Sequence, residues 1–338
     1  MRNKILAGLA GLLITVGLLA WVLKGVSFTD VWQGIRSARW PYLLGATGLA
    51  TFSFVIRVPR WRVLLRSDEG AVLPSRPLWH GIAIGFMANN LIPFRAGEVL
   101  RALAINRLAP VGIPAALSSL VAERLFDALT IVAFLFIGLV TAGIPADAQI
   151  MGFSVTAIAG RLSLAPLALL VACVFAIALP HLAKRITRAI IPWPRLAETF
   201  CGFIDGIHDG LAALKSPRRV LAAAGWSLIH WFNNGLSFYL GFKAFGIPIG
   251  LGGALLLQSV LVVLIATPST PGYFGVFEAA IKSVLVVLAV EPTTAVTYAL
   301  AYHFTTYVPI TLLGLWSLSR TTLTLRPPGG PVPEATAP

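Results

Sequence analysis

The chain has 338 residues, 57% hydrophobic and only 12% charged, with a net charge of +13 from 26 Lys and Arg against 13 Asp and Glu. Typical soluble domains carry about 25% charged residues, so this composition excludes an ordinary water-soluble enzyme and reads as a membrane protein. The basic excess does not read as a nucleic-acid surface, because the Lys and Arg residues cluster between hydrophobic stretches, as cytoplasmic flanks facing anionic headgroups do.

In chain order, Arg2 and Lys4 precede an apolar run to Leu23. That run is long for a signal peptide, and Leu19-Ala20-Trp21 is no small-x-small cleavage site, so it predicts a retained first helix. Apolar segments follow at Tyr42–Val58, Leu78–Leu91, Leu117–Thr141, Leu164–Leu179, Leu221–Phe245, Leu251–Ala266, Glu278–Val290 and Ala295–Leu318. They predict an all-α, polytopic integral membrane protein with about six to eight transmembrane helices plus re-entrant hairpins. One membrane domain covers 1–325, and the Pro- and Gly-rich tail 326–338 reads as disordered.

Two segments interrupt this pattern: Asn89-Asn90-Leu91-Ile92-Pro93-Phe94-Arg95-Ala96-Gly97-Glu98 and Pro268-Ser269-Thr270-Pro271-Gly272-Tyr273-Phe274-Gly275-Val276-Phe277-Glu278. Backbone breaks and charges are both costly in hydrocarbon and persist only against protein or a wet cavity. Charge counting makes the N-terminus, the Arg57–Arg76 region, Lys184–Arg219 and the C-terminal flank cytoplasmic. Leu78–Arg107 then reads as a hairpin that dips in and returns. Leu251–Val290 fits either an inverted counterpart from the outside or two crossings. Repeat-like halves fall near 41–143 and 221–319, joined by an amphipathic cytoplasmic linker over 181–219.

The polar residues inside these halves are the candidate site. Arg57, Arg60 and Trp61 share a helix face at i, i+3, i+4, and an Arg fork there suits a phosphate; Arg62 and Arg66 read more simply as a positive-inside flank. Asn90, Arg95, Glu98 and Arg101 crowd the first break, where Glu98 and Arg101 at i, i+3 read as a buried or cavity-lining ion pair or as part of a site. Glu123, Arg124 and Asp127 head a long apolar helix, either as an anchoring network or as part of a proton path. His230, Trp231, Asn233 and Asn234 interrupt one helix, and His303, Thr306 and Tyr307 share a face of the last. Around the second break, Pro271, Gly272 and Gly275 allow close backbone approach, and the new helix start offers N–H groups to an anion. Glu278 and Lys282 stand at i, i+4. Cys173 and Cys201 lack metal-type spacing. No P-loop, G-x-S-x-G or H-E-x-x-H occurs, so neither cofactor nor metal is expected.

The ordered set Arg57-x-x-Arg60-Trp61, Asn90-x-x-Pro93-x-Arg95-x-Gly97-Glu98-x-x-Arg101, Glu123-Arg124-x-x-Asp127 and Pro268-x-x-Pro271-Gly-x-x-Gly275-x-x-Glu278 resembles the membrane, flippase-like domain of the lysyl-phosphatidylglycerol synthase family. The resemblance runs from Ile5 to about Ser319. It implies lipid translocation between leaflets, with two re-entrant elements meeting near the bilayer centre. The chain ends soon after Ser319, where two-domain members continue into an aminoacyl-transferase, so the expectation is a stand-alone member that does not make lysyl-phosphatidylglycerol. The expected activity is a flippase for an anionic or phosphate-bearing lipid in the bacterial inner membrane, both termini cytoplasmic. The expected partners are membrane lipids, anionic ones among them, with a lipid-modifying enzyme or glycosyltransferase as a further partner and no nucleic acid. The alternatives are a membrane enzyme with Glu98 or Asp127 as general base, and an accessory subunit that positions a glycosyltransferase.

Overall fold

A computed structural model describes residues 16–92, 96–142, 149–150, 153–154, 179–194, 197–198, 201, 216–265 and 271–321. Arg95, Pro268, Cys173, nearly all of Leu164–Leu179, much of the 181–219 linker and the 326–338 tail lie outside the described residues. Within them the protein is all-α, apart from an antiparallel pairing of the two-residue strands Gln149–Ile150 and Phe153–Ser154 and a single antiparallel bridge between Arg66 and Val72.

Residues 16–23 are helical, followed by α1 (Phe28–Ser37) and α2 (Trp40–Leu64). Two shorter helices, α3 (Ser75–Leu91) and α4 (Gly97–Leu108), flank the first break, and α5 (Ile113–Thr141) closes the half. After α6 (Pro180–Ile190) the order repeats: long α7 (Pro217–Ala244), short α8 (Leu251–Ile265) and α9 (Val276–Val287), long α10 (Pro292–Ser319). Each long helix has a proline in its first turn, where the missing N–H costs nothing.

Lengths separate the two kinds of helix. The long ones have 25 to 29 residues, and at about 1.5 Å per residue they exceed the roughly 30 Å of hydrocarbon. α2 and α5 also have the apolar composition of membrane spans. The short ones, with 17, 12, 15 and 12 residues, fall below that thickness. α2 extends six residues past the predicted end at Val58 and continues through Pro59, a stretch in which Arg60 is held by Glu123 and Asp127 of another helix.

The packing between the halves is reciprocal. α2 lies against α7; α3 of the first half packs on α10 of the second, and α8 of the second packs on α5 of the first. Within each half the two short helices pair, and the second of them rests on its closing helix. The two largest apolar clusters centre on Phe54, Trp61, Leu78 and Ile105 of the first half and on Phe242, Leu257, Ile281 and Tyr298 of the second, the latter joined by Ala46 and Leu135. Small residues set the closest approaches. A Cβ on Gly97 would collide with the Gly85 carbonyl across the α3–α4 hairpin, and one on Gly314 would collide with Met87 where α10 crosses α3. Large apolar side chains such as Phe52, Val140, Phe304 and Leu312 point outward, as expected of surfaces solvated by lipid.

On α6, Leu182, Ile186 and Ile190 form an exposed apolar stripe at i, i+4, i+8 beside basic Lys184, Arg185 and Arg188. That is the amphipathic pattern of a helix lying on a membrane surface.

Candidate functional site

α2, α4 and α5 converge on a buried charge cluster. The i, i+3, i+4 face of α2 turns Arg57, Arg60 and Trp61 inward, and all three are buried. Arg60, completely buried, spans one turn of α5, with Nη2 3.0 Å from Glu123 Oε1 and Nη1 2.7 Å from Asp127 Oδ1. From α4, Arg101 grips Glu123 with both guanidinium nitrogens, donating to Oε1 at 3.0 Å and to Oε2 at 2.9 Å. Arg124 donates to Glu123 Oε1 at 3.1 Å and lies 3.4 Å from Asp127 and 3.8 Å from Glu98.

Aromatic rings wall the cluster. The Arg101 guanidinium sits 3.8 Å over the Trp61 ring and that of Arg57 4.2 Å over Phe86, both cation–π arrangements. The Trp61 indole donates to Ser119 Oγ at 2.9 Å, and Trp231 of α7 donates to Asp127 Oδ1 at 2.7 Å. Trp231 thus ties the second half of the chain to the charges of the first.

The cluster's charge is unbalanced. Arg57, Arg60, Arg101 and Arg124 face the buried carboxylates of Glu123 and Asp127, and even with half-exposed Glu98 the cations lead by four to three among the described residues. Arg57 is the least compensated: its nearest carboxylate oxygen is 3.9 Å away, against 3.1 Å or less for the other three. Burying surplus cation is costly unless an anion is supplied.

A second buried polar cluster lies between α9 and α10. Glu278, fully buried, accepts the Gly275 N–H through Oε2 at 2.7 Å and pairs with His303 Nδ1 through Oε1 at 2.6 Å. The His303 ring lies between Phe277 and Phe274, at centroid distances of 4.2 and 4.7 Å. Pro271–Tyr273 forms a single 3-10 turn with Gly272 at φ 67°, and Gly275 follows at φ 87°; both are left-handed conformations that favour glycine.

The two breaks touch. Asn90, at the end of α3, donates to Thr311 Oγ1 of α10 at 2.8 Å, and its carbonyl accepts the Tyr307 hydroxyl at 3.2 Å. Tyr307 in turn packs against Phe274, with centroids 5.4 Å apart. Asn89 Oδ1 accepts the Gly97 N–H at 2.9 Å, closing the first break locally.

Three sequence expectations need correction. Glu98 and Arg101 do not pair along α4: Arg101 turns to Glu123, and Glu98 lies near Arg124 instead. Glu278 does not pair with Lys282, because His303 and the Gly275 N–H occupy both of its oxygens, while Lys282 Nζ donates to the Val22 carbonyl at 2.6 Å. The start of α9 is not open to a foreign anion, since Glu278 itself accepts the Gly275 N–H. His230 hydrogen-bonds Asn234 at 3.2 Å inside α7, as a packing residue does. Sequence reading missed Phe86, Ser119 and Gln258, the last completely buried with neither amide atom partnered; a lone glutamine in the apolar α8 run was the available signal. Among the described residues no group of three or more His, Cys, Asp or Glu could hold a metal ion.

A family profile described as the lysylphosphatidylglycerol synthase TM region matches residues 8–314. The chain is 27% identical over 319 residues to the protein named Glycosyltransferase AglD of Haloferax volcanii, covering 87% of this chain and 51% of that protein. It is 23% identical over 312 residues to a UPF0104 membrane protein of Methanothermobacter thermautotrophicus, covering 85% and 86% respectively. The chain thus spans about half the length of the Haloferax relative. No solved structure matches.

Proposed function

The chain belongs to the lysylphosphatidylglycerol synthase TM-region family, and on that premise we propose that it moves a lipid with a phosphate or other anionic headgroup between bilayer leaflets. One observation carries this reading: more guanidinium than carboxylate is buried where α2, α4 and α5 meet, with Arg57 the least paired. A phosphate entering beside Arg57 supplies the missing negative charge and accepts bidentate hydrogen bonds. Arg60, Arg101 and Arg124, held by Glu123 and Asp127, keep the local field positive without binding the headgroup directly.

The path follows from the short helices. α3–α4 and α8–α9 are each too short per limb to cross, which supports reading them as re-entrant hairpins that enter from opposite faces. Their contact through Asn90, Tyr307 and Phe274 supports a headgroup path that passes this meeting point. The reciprocal packing of the halves supports an inverted repeat, whose two arrangements expose the site to either leaflet in turn. The positive-inside pattern supports cytoplasmic termini.

A second reading follows from the name of the Haloferax relative: the chain serves a glycosyltransferase pathway, as the carrier of a lipid-linked intermediate or as an accessory subunit. A direct catalytic role for Asp127 has less support, because Arg60, Arg124 and Trp231 already engage its oxygens.

The test is transport by the purified chain in proteoliposomes containing fluorescent phosphatidylglycerol, read by dithionite quenching of the outer leaflet. Wild type accelerates equilibration over protein-free vesicles, and Arg57→Gln slows it at least about tenfold, the loss of one charge-assisted contact. A rate equal to that of empty vesicles for phosphatidylglycerol, a glycolipid and a polyprenyl phosphate alike overturns the transporter reading.

A further inference from the structure

A second basic site lies outside the central cluster, at the opposite side of α2. Arg60 and Arg62 are two residues apart, so on a helix they point roughly 200° away from one another. Arg60 turns into the buried cluster, while half-buried Arg62 lines a separate cavity of about 800 Å³. Volumes of this order accommodate small-molecule and headgroup ligands. Three elements build it: the end of α2, the start of α3 with Arg76, Trp79 and His80, and the end of α10 with Trp316 and Arg320.

Charge and shape together specify the occupant. Arg62, Arg76 and Arg320 have no carboxylate within ion-pair distance among the described residues, and Arg62 only donates to the Ser75 hydroxyl. His80 is buried, and its Nδ1 has no hydrogen-bond partner. The cavity thus presents three unneutralised guanidiniums and one unsatisfied buried imidazole nitrogen. The remaining wall is apolar, with the indoles of Trp79 and Trp316 at its sides. Val55 of α2 lines the cavity, and the same two helices expose Phe52 on α2 and Leu312 and Leu315 on α10. A free anion uses the arginines and leaves this apolar surface bare; a water-soluble apolar ligand does the reverse. Indoles at a basic helix end are also the residues that settle at headgroup depth.

We propose that this cavity binds a second, anionic phospholipid, its phosphate held by Arg62, Arg76 and Arg320 and its chains lying along the outer faces of α2 and α10. The site is independent of the central cluster and stands whether or not that cluster translocates lipid. Three guanidiniums from three elements converge on one phosphate, so occupancy ties the closing helix α10 to the first hairpin. The bound lipid therefore acts as a brace on the α3–α10 packing.

The two indoles give the test its signal. The full chain is placed in nanodiscs of phosphatidylcholine containing either brominated phosphatidylglycerol or brominated phosphatidylcholine. Emission from the site is the difference between wild type and Trp79→Phe/Trp316→Phe. Brominated phosphatidylglycerol quenches this difference signal at about tenfold lower mole fraction than brominated phosphatidylcholine, and Arg62→Gln/Arg76→Gln/Arg320→Gln removes that preference. Arg57→Gln, in the central cluster, leaves it unchanged, and millimolar inorganic phosphate does not relieve the quenching. Equal quenching by the two lipids in wild type overturns the proposal without recourse to any arginine variant. Displacement by inorganic phosphate shows a free-anion site and overturns the lipid assignment. Loss of the preference in Arg57→Gln shows one continuous site and overturns its independence.

Discussion

At the scale of single residues, the central cluster is governed by who pairs with whom. Glu123 is the hub: Arg60, Arg101 and Arg124 each lie within 3.1 Å of one of its oxygens, and Arg57 stands 3.9 Å away. Removing a buried partner leaves charges that cannot return to water. Glu123→Gln, which leaves Arg57 and Arg101 without a carboxylate in ion-pair reach among the described residues, is therefore expected to lower stability by about 3–5 kcal/mol, seen as a fall in the unfolding midpoint of the detergent-solubilised protein. Adding Arg101→Met to that variant removes one stranded cation and recovers part of the loss; a double variant no more stable than Glu123→Gln alone contradicts the hub. The identities of these residues were legible in the sequence, since intramembrane charges are rare and each stood out from its apolar run. Their pairing was not. Sequence spacing ranks neighbours along one helix, so it joined Glu98 to Arg101 and Glu278 to Lys282. In the fold, desolvation favours the partner that reaches deepest, and Glu123 and His303 lie on other helices.

At the scale of elements, ends and close approaches decide the outcome. Glu291 caps α10, accepting the N–H groups of Thr293 at 2.8 Å and Thr294 at 2.7 Å. Partial burial alone raises the pKa of this carboxylate, but these hydrogen bonds outweigh it and hold the group below its usual range. A depressed folded pKa means that the stabilisation is present above the ordinary carboxylate range and is lost as pH falls through the lowered value. Glu291→Ala should accordingly cost about 1 kcal/mol at pH 7, with the gap to wild type closing as melts are taken at progressively lower pH below 4. A gap independent of pH rules out the carboxylate as the cap. In the first hairpin, Gly97→Ala forces a methyl group against the Gly85 carbonyl, and the overpacking is expected to cost about 1–3 kcal/mol and to reduce the yield of monodisperse protein. An unperturbed melt means that the two short helices do not pack as described. Helix existence was readable from the apolar runs, whereas ends were less so. The sequence placed the end of one span at Val58, yet α2 runs to Leu64, a stretch in which Arg60 is held by Glu123 and Asp127 of α5.

At the scale of the whole molecule, the two halves resemble each other in order and in contacts, but their chemistry differs. The first half buries arginines on α2 and α4 against carboxylates on α5; the second places Glu278 on α9 against His303 on α10. The broken segment and closing helix of each half were readable in the sequence, whereas the reciprocal packing of α3 on α10 and α8 on α5 was not, since it depends on contacts between residues more than a hundred positions apart, 221 for Asn90 and Thr311 and 128 for Ser259 and Ile131. That packing has a mechanical consequence. If each hairpin rests on the closing helix of the other half, the two breaks separate only when the halves move relative to each other. Asn90 and Thr311 report on this contact, their side chains meeting at 2.8 Å. In a background with Cys173→Ser and Cys201→Ser, the pair Asn90→Cys and Thr311→Cys can be oxidised in proteoliposomes to fix α3 to α10. Oxidation is expected to slow lipid equilibration about tenfold, a barrier increase near 1.4 kcal/mol, and reduction to restore it. Unchanged equilibration after complete cross-linking means that α3 and α10 move as one body. The passage of a headgroup must then be sought on the other side of the molecule, where α8 meets α5.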